Sequence, residues 1–368
     1  MEEPIRVAHI VGKMVGGGVE AFIMNYYRHI NKDKIQFDFI IDSDSTFVPR
    51  DEIESLGGRL IEIPPYQKLF KYTKELRKVL RENKYKIVHS HLNTLSVFPL
   101  YCAWREKVPI RIAHSHSTSN KKEWKKNIIK NLLRPFSKVF ATNYFACTEH
   151  AGRWMFGNKE YDNGNVYILN NAIDINDFLY DENERKIKRK ELGIENKFVI
   201  GHIGRFVEQK NHSFLIDIFN QLHNQIPNTS LMLIGQGPLQ NEIKEKVKKL
   251  KIDDSVLFLG QREDVNKLYQ AMDLFLFPSL YEGLGMVMIE AQSSGLPCIA
   301  STEVPKIAKV NKNVEFIDLN ETIDEWVNKI KKYIKDEKRN NDINKMKEAG
   351  YSIEKEAKKL EEYYNKLL

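Results

Sequence analysis

Thirteen short apolar runs punctuate this 368-residue chain, most of them spaced so that one helix fits between neighbours. Runs without polar alternation read as strands of parallel sheets, which crossover helices cover on both faces. In the first half they are Ile5–Val11, Phe37–Ile41, Arg59–Ile63, Ile87–Ser90, Ile110–His114, Tyr144–Cys147 and Val166–Leu169. In the second they are Phe198–Gly204, Ser230–Ile234, Val256–Leu259, Leu274–Phe277, Cys298–Ala300 and Glu315–Ile317. Helical periodicity fills gaps such as Val19–Ile30, Leu69–Glu82, Leu215–Gln225 and Leu239–Leu250. This alternation predicts an α/β fold with two open, doubly wound sheets, each with ligand crevices beyond its C-terminal strand ends.

The length suits two domains, and the charged stretch Asp174–Asn196 separates two complete α/β patterns. The predicted division is 1–173, 174–345 and a terminal segment 346–368. Within that segment Ala357, Leu360, Tyr364 and Leu367 recur at helical spacing. No run reaches the 18 or so apolar residues of a membrane span. The start Met1-Glu-Glu-Pro-Ile-Arg-Val lacks a secretory signal's basic and apolar regions, and Cys102, Cys147 and Cys298 stand apart like reduced thiols. A cytoplasmic protein is therefore expected.

The net charge of +7 is uneven. Residues 65–86 hold eight basic side chains against two acidic, and residues 119–138 seven against one. An anionic partner is expected in the first half, either a membrane surface or a phosphate-bearing substrate. Nucleic acid is not expected. Between Asn120 and Lys138, Trp124, Ile128, Ile129, Leu132, Leu133 and Phe136 recur at helical spacing among the basic residues. That pattern suits a helix lying on an anionic membrane, and equally a helix whose apolar stripe packs on the sheet.

The richest stretch runs from Phe277-Pro-Ser-Leu-Tyr-Glu282-Gly283-Leu284-Gly285-Met286 to Glu290 and Gly295. A strand end, a glycine loop and a helix start follow in order, and free N–H groups at a helix start favour anions and hydroxyls. Glu282 and Glu290 are eight residues apart, a little over two helical turns, so both can face one crevice. After another strand, Gly204-Arg205-Phe-Val-Glu-Gln-Lys210 offers a guanidinium fork and a compact ammonium to a diphosphate. Gly16-Gly17-Gly18-Val19-Glu20 follows a strand and opens a helix; neither it nor Gly235-Gln-Gly237 completes G-x-G-x-x-G, which disfavours a nicotinamide enzyme.

His89-Ser-His91 and His114-Ser-His116 close two strands. Alternate residues on a strand face one way, so such a pair can ligate zinc, but neither has an obvious third ligand nearby in the sequence. Asp42-Ser43-Asp44 sits in a Ser/Thr/Asp cluster and reads as turn chemistry. No metal and no cofactor are expected.

Together Glu282–Glu290, Arg205–Lys210 and Gly16–Glu20 resemble the motifs of glycosyltransferase family 4, the retaining enzymes of the GT-B fold. The resemblance covers nearly the whole chain, and Ala146–Gly157 and Ile168–Asp174 look most like members that build bacterial capsule or exopolysaccharide. It implies two Rossmann-like domains facing a central cleft, with the last helix crossing back onto the first domain. It implies an acceptor domain at 1–173 and a nucleotide-sugar domain at 174–345. On it, Glu282 with Gly283, Leu284, Gly285 and Met286 holds the donor sugar, and Glu290 the ribose. Arg205 and Lys210 meet the departing diphosphate without a metal, Gly17 and Gly18 line its site, and the loop reaching Arg262 reads the base. His116, followed by Ser117-Thr-Ser119, becomes the active-site histidine. The expected partners are a nucleotide sugar, probably of UDP, and a glycan or lipid-linked acceptor, with the protein peripheral to the membrane. Asn170-Asn171-Ala172 and Thr302-Glu-Val-Pro305-Lys306 depart from the common pattern and leave the donor open. A GT-B epimerase, or a non-catalytic binder that activates a sister transferase, would carry much the same motifs.

Overall fold

The structure, a computed structural model, describes residues 3–116, 124–334, 339 and 342–368, and the side chains of 124–127 lie outside that description. The chain forms two compact units, residues 1–173 with 352–368, and residues 174–351.

Seven parallel strands build the first unit: β1 (Ile5–Gly12), β2 (Ile35–Asp42), β3 (Arg59–Ile63), β4 (Ile87–Ser90), β5 (Ile110–Ser115), β6 (Asn143–Ala146) and β7 (Val166–Ile168), in the order β3-β2-β1-β4-β5-β6-β7. Every residue of β2 and β4 is buried, which explains their unbroken apolar runs. Of the sheet's two packed faces, one is closed by the helices Gly18–His29 and Ile353–Leu367, whose Phe22, Tyr26, Ala357, Leu360 and Tyr364 join Phe37, Phe39 and Ile112 in a single core. The terminal helix thus returns to the first unit, while the second unit continues past position 345 to Tyr351, whose hydroxyl donates to Ile307 O.

Six parallel strands build the second unit: β8 (Phe198–Ile203), β9 (Thr229–Ile234), β10 (Val256–Gly260), β11 (Leu274–Phe277), β12 (Cys298–Ser301) and β13 (Val314–Ile317), ordered β10-β9-β8-β11-β12-β13. Sequence order reverses between β1 and β4 in one sheet and between β8 and β11 in the other. Loops leaving the C-terminal ends of those pairs diverge and open a crevice.

The charged stretch that begins at the expected boundary belongs to the second unit and is structured. Asp181 accepts from Asn183 N and Glu184 N to cap the helix Glu182–Leu192, and Gly193 ends it in the left-handed region. Its Arg185 and Arg189 pair with Asp273, and Lys188 with Asp264. Charge in a sequence usually marks solvent; here opposite charges from two distant segments let it be buried.

Candidate active site

In the second unit, the loops after β8 and β11 are fastened to each other. Lys210 Nζ lies 2.6 Å from Glu282 Oε1 and 4.8 Å over the Phe277 ring. Gln209 Nε2 donates to Tyr281 O at 3.0 Å and to Glu282 Oε2 at 3.3 Å, and Gln209 O accepts from Leu280 N at 2.8 Å. Asn211, itself left-handed, donates to Pro278 O at 3.2 Å. The Lys210 and Glu282 side chains are only 15% and 7% exposed, so removing either would leave the other largely buried without its partner. Glycine makes the approach possible: a Cβ on Gly204 would stand 3.0 Å from the Lys210 stem, and one on Gly235 would stand 2.2 Å from Gly204 O.

Gly285, at φ +82, caps the helix Met286–Ser293, so its first N–H groups open beside Glu282 and the exposed Gly283, while Leu284 is buried beneath them. Farther along, Glu290 Oε2 accepts from Tyr269 Oη at 2.9 Å, and burial pushes the carboxyl above its usual range. Glu290 Oε1 accepts nothing among the described residues. Arg205 is exposed, with no side-chain partner among the described residues. Arg262 is committed to Asp264 through two bonds of 2.7 Å, so that loop can meet a ligand through backbone; Gly260 O already accepts from Gly235 N. Gln209 and Asn211 escaped the sequence reading, although amides flanking Lys210 after a strand were a usable signal. Tyr269, in an apolar helix, gave none.

In the first unit Gly16 is left-handed, and the Glu20 carboxylate folds back to accept from Val15 N at 2.9 Å. A Cβ on Gly17 would meet that carboxylate at 2.8 Å, whereas Gly18 faces open space. The glycines thus serve the acidic residue as well as any ligand at the helix start. Asp42 ends β2 in a turn closed by Ser45, which donates to Asp42 O, and Asp44 pairs with Lys13 at 2.7 Å.

The two His-x-His pairs do not lack further histidines around them. Adjacency of β1, β4 and β5 brings His9, His89, His91, His114 and His116 together, with His9 and His89 in register. His9 Nδ1 and His91 Nε2 are 2.9 Å apart, as are His91 Nδ1 and His116 Nε2; His89 Nε2 and His114 Nδ1 are 3.0 Å apart. His89 Nδ1 meets Tyr364 Oη of the terminal helix at 2.6 Å. Burial drives the first four well below the usual imidazole range and His116 to about 3, so all five are neutral near pH 7. Asn93 Oδ1 accepts from His116 N at 2.7 Å, and residues 117–123 lie outside the described residues.

Residues 16–177 match Glycosyltransferase Family 4 and residues 184–352 match Glycosyl transferases group 1. A putative glycosyltransferase, EpsF of Bacillus subtilis, is 36% identical over 334 residues, 88% of this chain and 86% of its own. The chain belongs to glycosyltransferase family 4. A second relative, the Escherichia coli UDP-Gal:alpha-D-GlcNAc-diphosphoundecaprenol alpha-1,3-galactosyltransferase, is 28% identical over 78% of this chain and 77% of its own. Among solved structures, Anabaena HepE in complex with UDP superposes with a TM-score of 0.80 at 19% identity, over 98% of this chain and 100% of that one. The fold is therefore GT-B, and the protein is a glycosyltransferase.

Proposed function

We propose that this protein is a retaining, metal-independent hexosyltransferase that moves a sugar from a UDP-sugar to a glycan or lipid-linked acceptor in cell-surface polysaccharide synthesis. The Lys210–Glu282 pair carries this reading, set between the topological switch point and a helix start, with the unpartnered Arg205 on the same loop as Lys210. Support for UDP comes from the UDP bound to HepE, and for a lipid-linked acceptor from the name of the E. coli relative. Arg205, Lys210 and the N–H groups of Met286 and Val287 meet the charge that grows on the departing diphosphate. Glu282 orients the sugar and steadies positive charge at the anomeric carbon. No further carboxylate is assigned as general base; the leaving phosphate takes the acceptor's proton on the face it leaves. Incubation with UDP-hexoses and a diphosphate-lipid acceptor in excess EDTA, with NMR of the product, should show transfer with the anomeric configuration kept. Inversion, epimerised donor without transfer, or a requirement for added magnesium or manganese would each overturn a part of this reading.

Glu290→Gln should chiefly raise KM for the donor, because ribose contacts are alike in ground and transition states. The swap also lets the amide keep its bond from Tyr269, so folding should survive. A fall in kcat with unchanged KM would move Glu290 to the reacting centre.

The first unit is proposed to rest on an anionic membrane. Ile128, Ile129, Leu132 and Phe136, with Val139 beyond them, are all more than half exposed, so this stripe does not pack on the sheet. Phe70 is 94% exposed in the other basic segment, although Arg77 and Arg81 there are partly neutralised by Glu106. Each free Lys or Arg adds about 1 kcal/mol near such a surface. Sedimentation with anionic vesicles at low salt, lost at high salt or with neutral lipid, is expected; equal partitioning to both lipids would refute the electrostatic part.

A further inference from the structure

We propose that His91, His114 and His116 form a binding site for a divalent transition-metal ion of the zinc class. One nitrogen of each residue lies within 4.8 Å of the others, a spacing that sequence separation concealed. Two ligands of a tetrahedral zinc at about 2.0–2.1 Å stand about 3.4 Å apart, so the 2.9 Å gap between His91 Nδ1 and His116 Nε2 needs only to open slightly.

Each of these ring contacts fits either tautomer, and the metal site requires the set in which three lone pairs converge. In that set Nε2–H of His91 donates to His9 Nδ1, which leaves His91 Nδ1 free to ligate. Nδ1–H of His114 donates to His89 Nε2, and Nδ1–H of His89 donates to Tyr364 Oη. His114 Nε2 is then the ligating atom; it is fully buried and has no hydrogen-bond partner among the described residues. His116 ligates through Nε2 once its proton moves to Nδ1. In the metal-free protein that proton fills the space between His116 and His91, and the ion takes its place. Outer groups that accept the second N–H of a ligating imidazole fix its tautomer and raise its basicity; His9 does so for His91 and His89 for His114, with Tyr364 in turn orienting His89. A rival grouping, His9 with His89 and His91, is buried on every side, whereas His116 is partly exposed and gives an ion a way in. Three neutral imidazoles favour zinc, cobalt, nickel or copper over magnesium and calcium, which prefer oxygen.

The inference stands independently of the donor-site reading, because its readout is bound metal. Full-length protein stripped with EDTA is titrated with zinc chloride, gel-filtered and analysed for metal, then titrated with cobalt chloride for the intense visible bands of four-coordinate Co2+. One equivalent of zinc and a four-coordinate cobalt spectrum are expected. His116→Asn at the partly exposed edge should weaken binding at least about 100-fold, and Tyr364→Phe, which only removes the terminal hydroxyl, about 10-fold. The exposed His150→Gln should change nothing. Should His116→Asn misfold, the wild-type cobalt spectrum and Tyr364→Phe still decide. Zinc well below one equivalent in the wild type, a six-coordinate cobalt spectrum, or equal affinity in a folded His116→Asn would overturn the site.

Discussion

Arg205→Ala is expected to lower turnover roughly 30- to 1000-fold while leaving unfolding unchanged. A charge-assisted contact that tightens as the diphosphate departs contributes about 2–4 kcal/mol in the transition state. The guanidinium is exposed and has no partner among the described residues, so its removal strands no buried charge. Surface changes of that kind usually stay within about 0.5 kcal/mol. Lys210→Ala supplies the contrast. It should lose activity and also stability by about 3–5 kcal/mol, since it leaves the Glu282 carboxylate buried without its cation. Comparing kcat/KM with denaturant midpoints for both variants separates the roles. Wild-type turnover in Arg205→Ala would remove that loop from the diphosphate site.

Acid should unfold the first unit well above the pH at which carboxylates protonate. His9, His89, His91, His114 and His116 have folded pKa values held below the usual imidazole value by burial. The unfolded chain therefore binds more protons below about pH 6.5, and stability that is complete above that point drains away as pH falls. Each histidine that stays neutral costs about 2 kcal/mol between pH 7 and pH 5. Asp42, pushed up to about 6 mainly by its own burial, opposes this with about 1.4 kcal/mol. Five neutral histidines thus cost about 9 kcal/mol net, comparable to the roughly 5–15 kcal/mol that holds a domain together. The second unit buries His202 and His212, whose pKa values also fall, the latter to about 4, and should resist acid longer. Hydrogen exchange with thermal unfolding at pH 7, 6 and 5, all in EDTA, reads both units. A first unit equally stable at pH 7 and pH 5 would show that the cluster takes up protons without opening.

Much of the proposed donor site was legible because its pieces are contiguous. Strand, glycine loop and helix start follow one another from Phe277 to Glu290, and Arg205 and Lys210 share one loop. Apolar runs also marked all thirteen strands, most plainly those such as β2, β9 and β11 that are buried throughout. Segment 174–196 opens the second unit at the expected boundary, but its charge did not reveal the helix within it, whose arginines reach an aspartate some eighty residues away. Gln209 and Asn211 act through hydrogen bonds to a loop about seventy residues distant; their place beside Lys210 after a strand marked them as polar loop residues, but not which loop they would hold.

By itself the sequence determined two parallel α/β units and the contiguous loops proposed to hold the donor, because periodicity, glycine and capping act over a few residues; the return of the last helix was implied only by the family resemblance. Only the tertiary structure decided that Glu282 would be held by Lys210 and that five histidines would meet. His9 and the two His-x-His pairs are far apart in the chain, and His9 looks like an isolated polar residue on an apolar strand. Placing β4 between β1 and β5 set their rings side by side, and the returning helix added Tyr364. Strand order arises from packing summed over both faces of the sheet, and no short stretch of sequence carries that sum.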